Sequence, residues 1–138
     1  MENCYSFQQI VLKHIHKHKY IVQYLVRGAW LICERGIEAR DNGYAFFKYI
    51  RQQYPEKKVF YLIDPTQEND FQNVAPLENT IAYNSKEHYM ALFYAKCLLS
   101  THIGFITPWS YVCQKTFFSW LKCPKFVLLN HGITKEDI

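Results

Sequence analysis

Short, unbroken apolar runs alternate along this chain with stretches of helical spacing. After the break at Arg27-Gly28, Ala29-Trp30-Leu31-Ile32-Cys33 predicts a first strand. Val59-Phe60-Tyr61-Leu62-Ile63, stopped by Asp64-Pro65, predicts a second. Thr80-Ile81-Ala82-Tyr83 is a weaker third, Cys97-Leu98-Leu99-Ser100-Thr101 a fourth, and Val127 to Leu129 lies in a fifth. Between Tyr44 and Tyr54, Phe46, Phe47 and Ile50 follow a helical period with Lys48 and Arg51 among them, and Pro55 ends it. A further helix opens at Asn84-Ser85-Lys86-Glu87 with Ser85 as its cap and runs through Met90, Leu92 and Phe93 to about Ala95. Strands alternating with helices imply βαβ units. The expected fold class is therefore α/β, a Rossmann-like parallel sheet with flanking helices.

Two segments depart from this rhythm. Residues 5–27 predict a helix whose apolar positions (Phe7, Ile10, Val11, Ile15, Ile21, Leu25) are too dense for a strict stripe. The aromatic segment from Gly104 to Cys123 is ambiguous, with room for a short helix around Phe117 to Leu121. The expected organisation is thus a basic amphipathic N-terminal helix over residues 1–28 and a Rossmann-like domain over residues 29–138. The closing Thr134-Lys135-Glu136-Asp137 reads as the opening of another helix just before Ile138, so the chain is expected to be the first part of something longer.

Composition adds bounds. A chain of 138 residues suits one domain that buries roughly two-thirds of its unfolded surface. Its 49% hydrophobic and 17% aromatic content argue for a dense core rather than disorder. No run approaches the roughly 18 apolar residues of a membrane span, and Met1-Glu2-Asn3 begins no signal peptide, so an intracellular, cytoplasmic protein is expected. Five scattered cysteines without a CxxC pair fit buried free thiols in a reducing compartment. The net charge of +4 is uneven, because Lys13-His14-Ile15-His16-Lys17-His18-Lys19 concentrates three lysines and three histidines. A solvated helix face, or attraction to an anionic membrane surface, accounts for that run. His14 and His18 have the spacing of a two-histidine metal face but no third ligand, so no metal is expected.

In a parallel sheet all strand carboxyl ends meet at one edge. That edge collects Glu34-Arg35-Gly36, Asp64-Pro65, Asn84-Ser85, Ser100-Thr101-His102 and Asn130-His131-Gly132. Hydroxyls, amides, an arginine and histidines suit a polar, phosphate-bearing or sugar-like ligand. Each member has a plainer reading: Glu34-Arg35 as a surface ion pair, Ser85 as a helix cap, His102 as a strand-end residue without a task. His131 stands apart, because a histidine between a strand end and a glycine is placed to act as a general base on a hydroxyl. No GxGxxG, Walker loop, GxSxG or HExxH occurs, which sets dinucleotide, P-loop, esterase-type and zincin readings aside. No nucleic-acid-binding signature holds the aromatics, so no nucleic-acid partner is expected.

Trp30-Leu31-Ile32-Cys33-Glu34-Arg35-Gly36, then Ala39-Arg40-Asp41-Asn42-Gly43-Tyr44-Ala45-Phe46-Phe47-Lys48-Tyr49-Ile50, resembles the CDP-glycerol:poly(glycerophosphate) glycerophosphotransferases, which build teichoic acids and related capsular polymers. Asn84-Ser85-Lys86-Glu87-His88 and Lys125-Phe126-Val127-Leu128-Leu129-Asn130-His131-Gly132-Ile133-Thr134-Lys135-Glu136-Asp137 also match that pattern, over roughly residues 29–138. The resemblance implies the N-terminal, acceptor-side domain of a GT-B-like architecture of two Rossmann-type domains. It implies His131 as the base on the acceptor hydroxyl. It also implies roles for Arg35, Asp41, Asn42, Gly43, Ser85 and Gly132 in shaping the cleft or holding acceptor phosphates. The donor would be a CDP-activated polyol phosphate and the acceptor a lipid-linked polymer, with no cofactor and with peripheral attachment to the inner membrane face. Two departures stand out: the family's second domain, with its nucleotide site, is absent from the chain, and Asn130 stands where many members carry glutamine. The alternative is a non-catalytic α/β module that binds an anionic polymer or a partner protein.

Overall fold

The computed structural model describes residues 27–102 and 125–129. They hold five strands, β1 (Trp30–Cys33), β2 (Val59–Ile63), β3 (Thr80–Ala82), β4 (Cys97–Ser100) and β5 (Lys125–Leu128). Three helices accompany them, α1 (Asn42–Gln53), α2 (Glu68–Val74) and α3 (Lys86–Tyr94). The strands form one sheet in the order β3-β2-β1-β4-β5, and every neighbouring pair is parallel. This is the expected Rossmann-like α/β arrangement. The chain lays strands outward from β1 to β3, then crosses back to place β4 on the other side of β1. The order therefore reverses between β1 and β4, the position where open α/β sheets leave a crevice at their carboxyl edge.

The central strands read as continuous apolar runs because parallel strands are buried on both faces. Leu31, Ile32 and Cys33 of β1 and Tyr61, Leu62 and Ile63 of β2 have no solvent exposure. The pleat sends alternate residues to two layers. Leu31, Cys33, Leu62 and Leu98 pack with Ala91 and Leu92 of α3. Ile32, Tyr61, Ile63 and Leu99 pack with Phe47 and Ile50 of α1 and Val74 of α2. The Phe47 and Tyr61 rings meet with centroids 5.3 Å apart at 51°, a tilted contact suited to aromatic quadrupoles.

Local signals set the helix ends. Asp41 caps α1, its Oδ1 accepting the Asn42 N–H at 2.8 Å, so the helix opens ahead of the Tyr44 expected from apolar spacing. It ends at Gln53, two residues before Pro55, as the steric restriction on a residue preceding proline requires. Ser85 caps α3 as expected, accepting the His88 N–H at 3.2 Å. Helix α2 has no counterpart in the sequence pattern. Only Phe71 and Val74 of its seven residues are large and apolar, and its flanking Gln67 makes no side-chain cap. Cys33 and Cys97 are buried free thiols, as expected. The predicted N-terminal helix, the basic run Lys13–Lys19 and the aromatic segment 104–123 lie outside the described residues.

Candidate functional site

The loop from β1 to α1 is held from beneath by acidic side chains. Glu34, at the carboxyl end of β1, has no solvent exposure. Its Oε2 accepts the N–H groups of Asp41 at 2.9 Å and Tyr44 at 2.8 Å, and its Oε1 accepts that of Arg40 at 3.1 Å. Tyr44 is the third residue of α1, so this carboxylate satisfies donors that a helix N-terminus otherwise leaves unpaired and sits at the positive end of its dipole. Asp70 of α2 adds a second anchor, accepting the Ala39 N–H at 3.0 Å and the Arg40 Nε at 3.1 Å. Asn73 donates to the Ala39 carbonyl at 2.9 Å and the Tyr61 hydroxyl to the Glu38 carbonyl at 2.7 Å. Burial, then the charge of Glu34, pushes the Tyr61 phenol well above its ordinary range, so it remains a donor. Burial likewise pushes the Cys33 thiol up and keeps it an inert thiol.

Two glycines admit this packing. A Cβ on Gly43 would lie 2.8 Å from Glu34 Cγ. Gly36 has φ +83°, and a Cβ there would lie 2.7 Å from the Tyr83 ring. The Gly36 carbonyl also accepts the Asp64 N–H at 2.7 Å, joining the ends of β1 and β2. Beside this loop, Ile37 and Arg40 face Thr66, Gln67 and Asp70 across a polar hollow of about 270 Å³.

At the reversal between β1 and β4, Arg35 meets His102. The Arg35 Nε donates to His102 Nε2 at 3.1 Å, and Arg35 Nη1 lies 3.8 Å from Glu38 Oε1. Thr101 Oγ1 lies 2.8 Å from the other ring nitrogen, Nδ1. On the far side of β1, the turn from β3 to α3 uses its polar groups on itself. Ser85 Oγ donates to the Ala82 carbonyl, the buried His88 Nδ1 accepts the Asn84 N–H at 2.9 Å, and the Tyr89 hydroxyl donates to Asn84 Oδ1. Asn84 holds φ 65°, a left-handed conformation that asparagine tolerates.

Of the residues singled out by sequence, Arg35, Asp41, Asn42, Gly43 and Ser85 all come to the carboxyl edge, with distinct local tasks. Arg35 projects from the anchored loop, Asp41 and Asn42 open α1, Gly43 lies against Glu34, and Ser85 caps α3. Glu34-Arg35 is not a surface ion pair, because Glu34 is buried against backbone amides while Arg35 turns to His102. His131 and Gly132 lie outside the described residues. Sequence reasoning missed the anchoring by Glu34 and Asp70 and the pairing of His102. For Glu34 a signal was present, an acidic residue ending an otherwise apolar strand; for Asp70 none was.

Among the described residues no group of histidine, cysteine or acidic side chains could hold a metal ion, and no helix is long and apolar enough to cross a membrane. No family model matches the chain, and no solved structure does. Among curated proteins it is similar to the minor teichoic acid biosynthesis protein GgaB of Bacillus subtilis (strain 168), with 26% identity over 108 residues. That match covers 78% of this chain but only 12% of the relative's length. The chain thus spans only about an eighth of the length of a relative whose name places it in teichoic acid biosynthesis.

Proposed function

We propose that this chain is the acceptor-side portion of a glycerophosphotransferase-like enzyme, one that transfers a polyol phosphate from a CDP-activated donor to a hydroxyl of a teichoic-acid or capsular polymer. The observation that carries this reading is the edge chemistry joined to the similarity with GgaB. β5 pairs in parallel with β4, and the N–H of Leu129, the residue after β5, bonds the Ser100 carbonyl at 2.7 Å. The chain therefore leaves the sheet on the edge that carries Arg35 and His102, directly ahead of Asn130-His131-Gly132.

In this mechanism His131 takes the proton of the acceptor hydroxyl. The acceptor oxygen attacks the β-phosphorus of CDP-glycerol, the bond from that phosphorus to the bridging oxygen breaks, and CMP leaves with the bridging oxygen. A new phosphodiester results. Such a transfer needs little covalent chemistry from the protein beyond alignment and charge stabilisation. The donor's nucleotide belongs to a second Rossmann-type domain, and the run Lys13–Lys19 serves attachment to the anionic inner face of the membrane on which the lipid-linked acceptor grows.

The test supplies the chain with CDP-glycerol and a lipid-linked acceptor, with and without a separately produced nucleotide-binding half, and follows CMP. Release that requires both halves and is lost in His131→Ala supports the proposal. Release indifferent to His131→Ala removes His131 as the base. Polymer binding with no release in any combination favours the non-catalytic module.

A further inference from the structure

The sheet register brings Arg35 and His102 together. Cys33 of β1 pairs with Ser100 of β4, and Leu31 and Leu98 behind them lie in the same core layer. Two residues beyond that last rung come Arg35 on one strand end and His102 on the other. Their hydrogen bond spans the point where the strand order reverses.

Its chemistry assigns the imidazole. A guanidinium has donors only, so His102 Nε2 must accept and carry no proton. The ring hydrogen then sits on Nδ1, facing Thr101 Oγ1. The main chain there is fixed as well: Ser100 Oγ donates to the His102 carbonyl at 2.7 Å and accepts its N–H at 3.2 Å, and both Ser100 and Thr101 are buried. Arg35 is held at its root by the anchored loop and at Nε by this ring, yet its side chain is 49% exposed. Glu38 approaches Nη1 only at 3.8 Å, and among the described residues Nη2 meets no acceptor.

We infer that Arg35 and His102 form a phosphate seat where the strand order reverses between β1 and β4, in which His102 positions the guanidinium and the Nη1–Nη2 edge of Arg35 grips two oxygens of a phosphate ester. A planar fork with fixed orientation suits bidentate contact with such a group, and holding Nε in advance lowers the ordering cost on binding. In naming phosphate rather than another oxyanion, this inference rests on the transferase reading; the geometry of the pair does not. His102 is a positioning residue, because it touches the guanidinium and not the ligand.

The test titrates the full chain with glycerol 3-phosphate, inorganic phosphate and acetate, read by calorimetry in every variant and, where Arg35 is present, also by its Nε–H resonance. Glycerol 3-phosphate and phosphate should shift that resonance, and acetate should do so more weakly. Arg35→Lys should weaken phosphate binding about tenfold, the loss of one charge-assisted hydrogen bond. His102→Ala should weaken it about threefold to tenfold, while His102→Gln, whose amide oxygen still accepts from Nε, should restore most of it. Binding unchanged in Arg35→Lys, or equal loss in His102→Ala and His102→Gln, overturns the seat. Should His102→Ala not fold, a long-range proton–nitrogen correlation on the unaltered protein decides: hydrogen on Nδ1 supports the assignment, hydrogen on Nε2 overturns it. CMP release separates the two readings. Phosphate binding lost in Arg35→Lys, with no release under any condition, sustains the seat and sinks the transferase. Release unaffected by Arg35→Lys does the reverse.

Discussion

The loop after β1 and the turn after β3 stand at the same sheet edge and are stabilised in opposite ways. The turn after β3 is bonded from within: Ser85, Asn84, His88 and Tyr89 bond one another or their own backbone between Ala82 and Tyr89. The loop after β1 is held by others. Glu34 beneath it, Asp70 and Asn73 of α2 and Tyr61 of β2 take up its backbone groups. A turn that bonds itself has its polar groups engaged; a loop held from outside can point Arg35 away from its supports. This contrast is what favours the β1–β4 side of the edge for the proposed phosphate seat.

The largest expected effect removes the main support. Glu34→Ala leaves the N–H groups of Arg40, Asp41 and Tyr44 without their shared acceptor and opens space beneath Gly43. A loss of about 3–5 kcal/mol in urea unfolding is expected, because each buried unpaired donor costs about 1–3 kcal/mol. A loss below about 1 kcal/mol would show that water replaces the carboxylate and that the loop is not rigidly held. Alkaline titration has an intermediate effect. Folding raises the values of Cys33 and Tyr61, so the folded state keeps their protons where the unfolded chain releases them. Their stabilisation is whole below the unfolded values, about 8.5 for cysteine and about 10 for tyrosine, and drains as pH rises above each. The stability curve should steepen downward by about 1.4 kcal/mol per pH unit for each group past its own threshold. A flat profile between pH 8 and 11 contradicts their burial. The smallest effect belongs to the self-capped turn: Ser85→Ala should cost about 1 kcal/mol and leave phosphate binding at the Arg35 seat unchanged, since Ser85 Oγ bonds the Ala82 carbonyl and the His88 N–H rather than Arg35 or His102. If Ser85→Ala weakens phosphate binding as much as Arg35→Lys does, the contrast between the two regions fails.

The strands and two of the helices were legible because their determinants are local. A buried parallel strand must be apolar throughout, as Trp30–Cys33 and Val59–Ile63 are, and caps such as Ser85 sit next to the helix they start. Helix α2 was not legible because Asp70 gains its purpose from Ala39 and Arg40, some thirty positions earlier in the chain. The Arg35–His102 pair spans 67 positions and exists only through the β1–β4 register, which no local pattern encodes. Glu34 misled for a related reason: its neighbour in sequence is a cation, while its partners in space are amides.

The amides of Arg40, Asp41 and Tyr44 point at a carboxylate that water does not reach. Deuterium can enter at those sites only when Glu34 itself is uncovered, which requires α1 to lift from the sheet. The segment should therefore trade its hydrogens on the schedule of cooperative unfolding rather than of surface breathing.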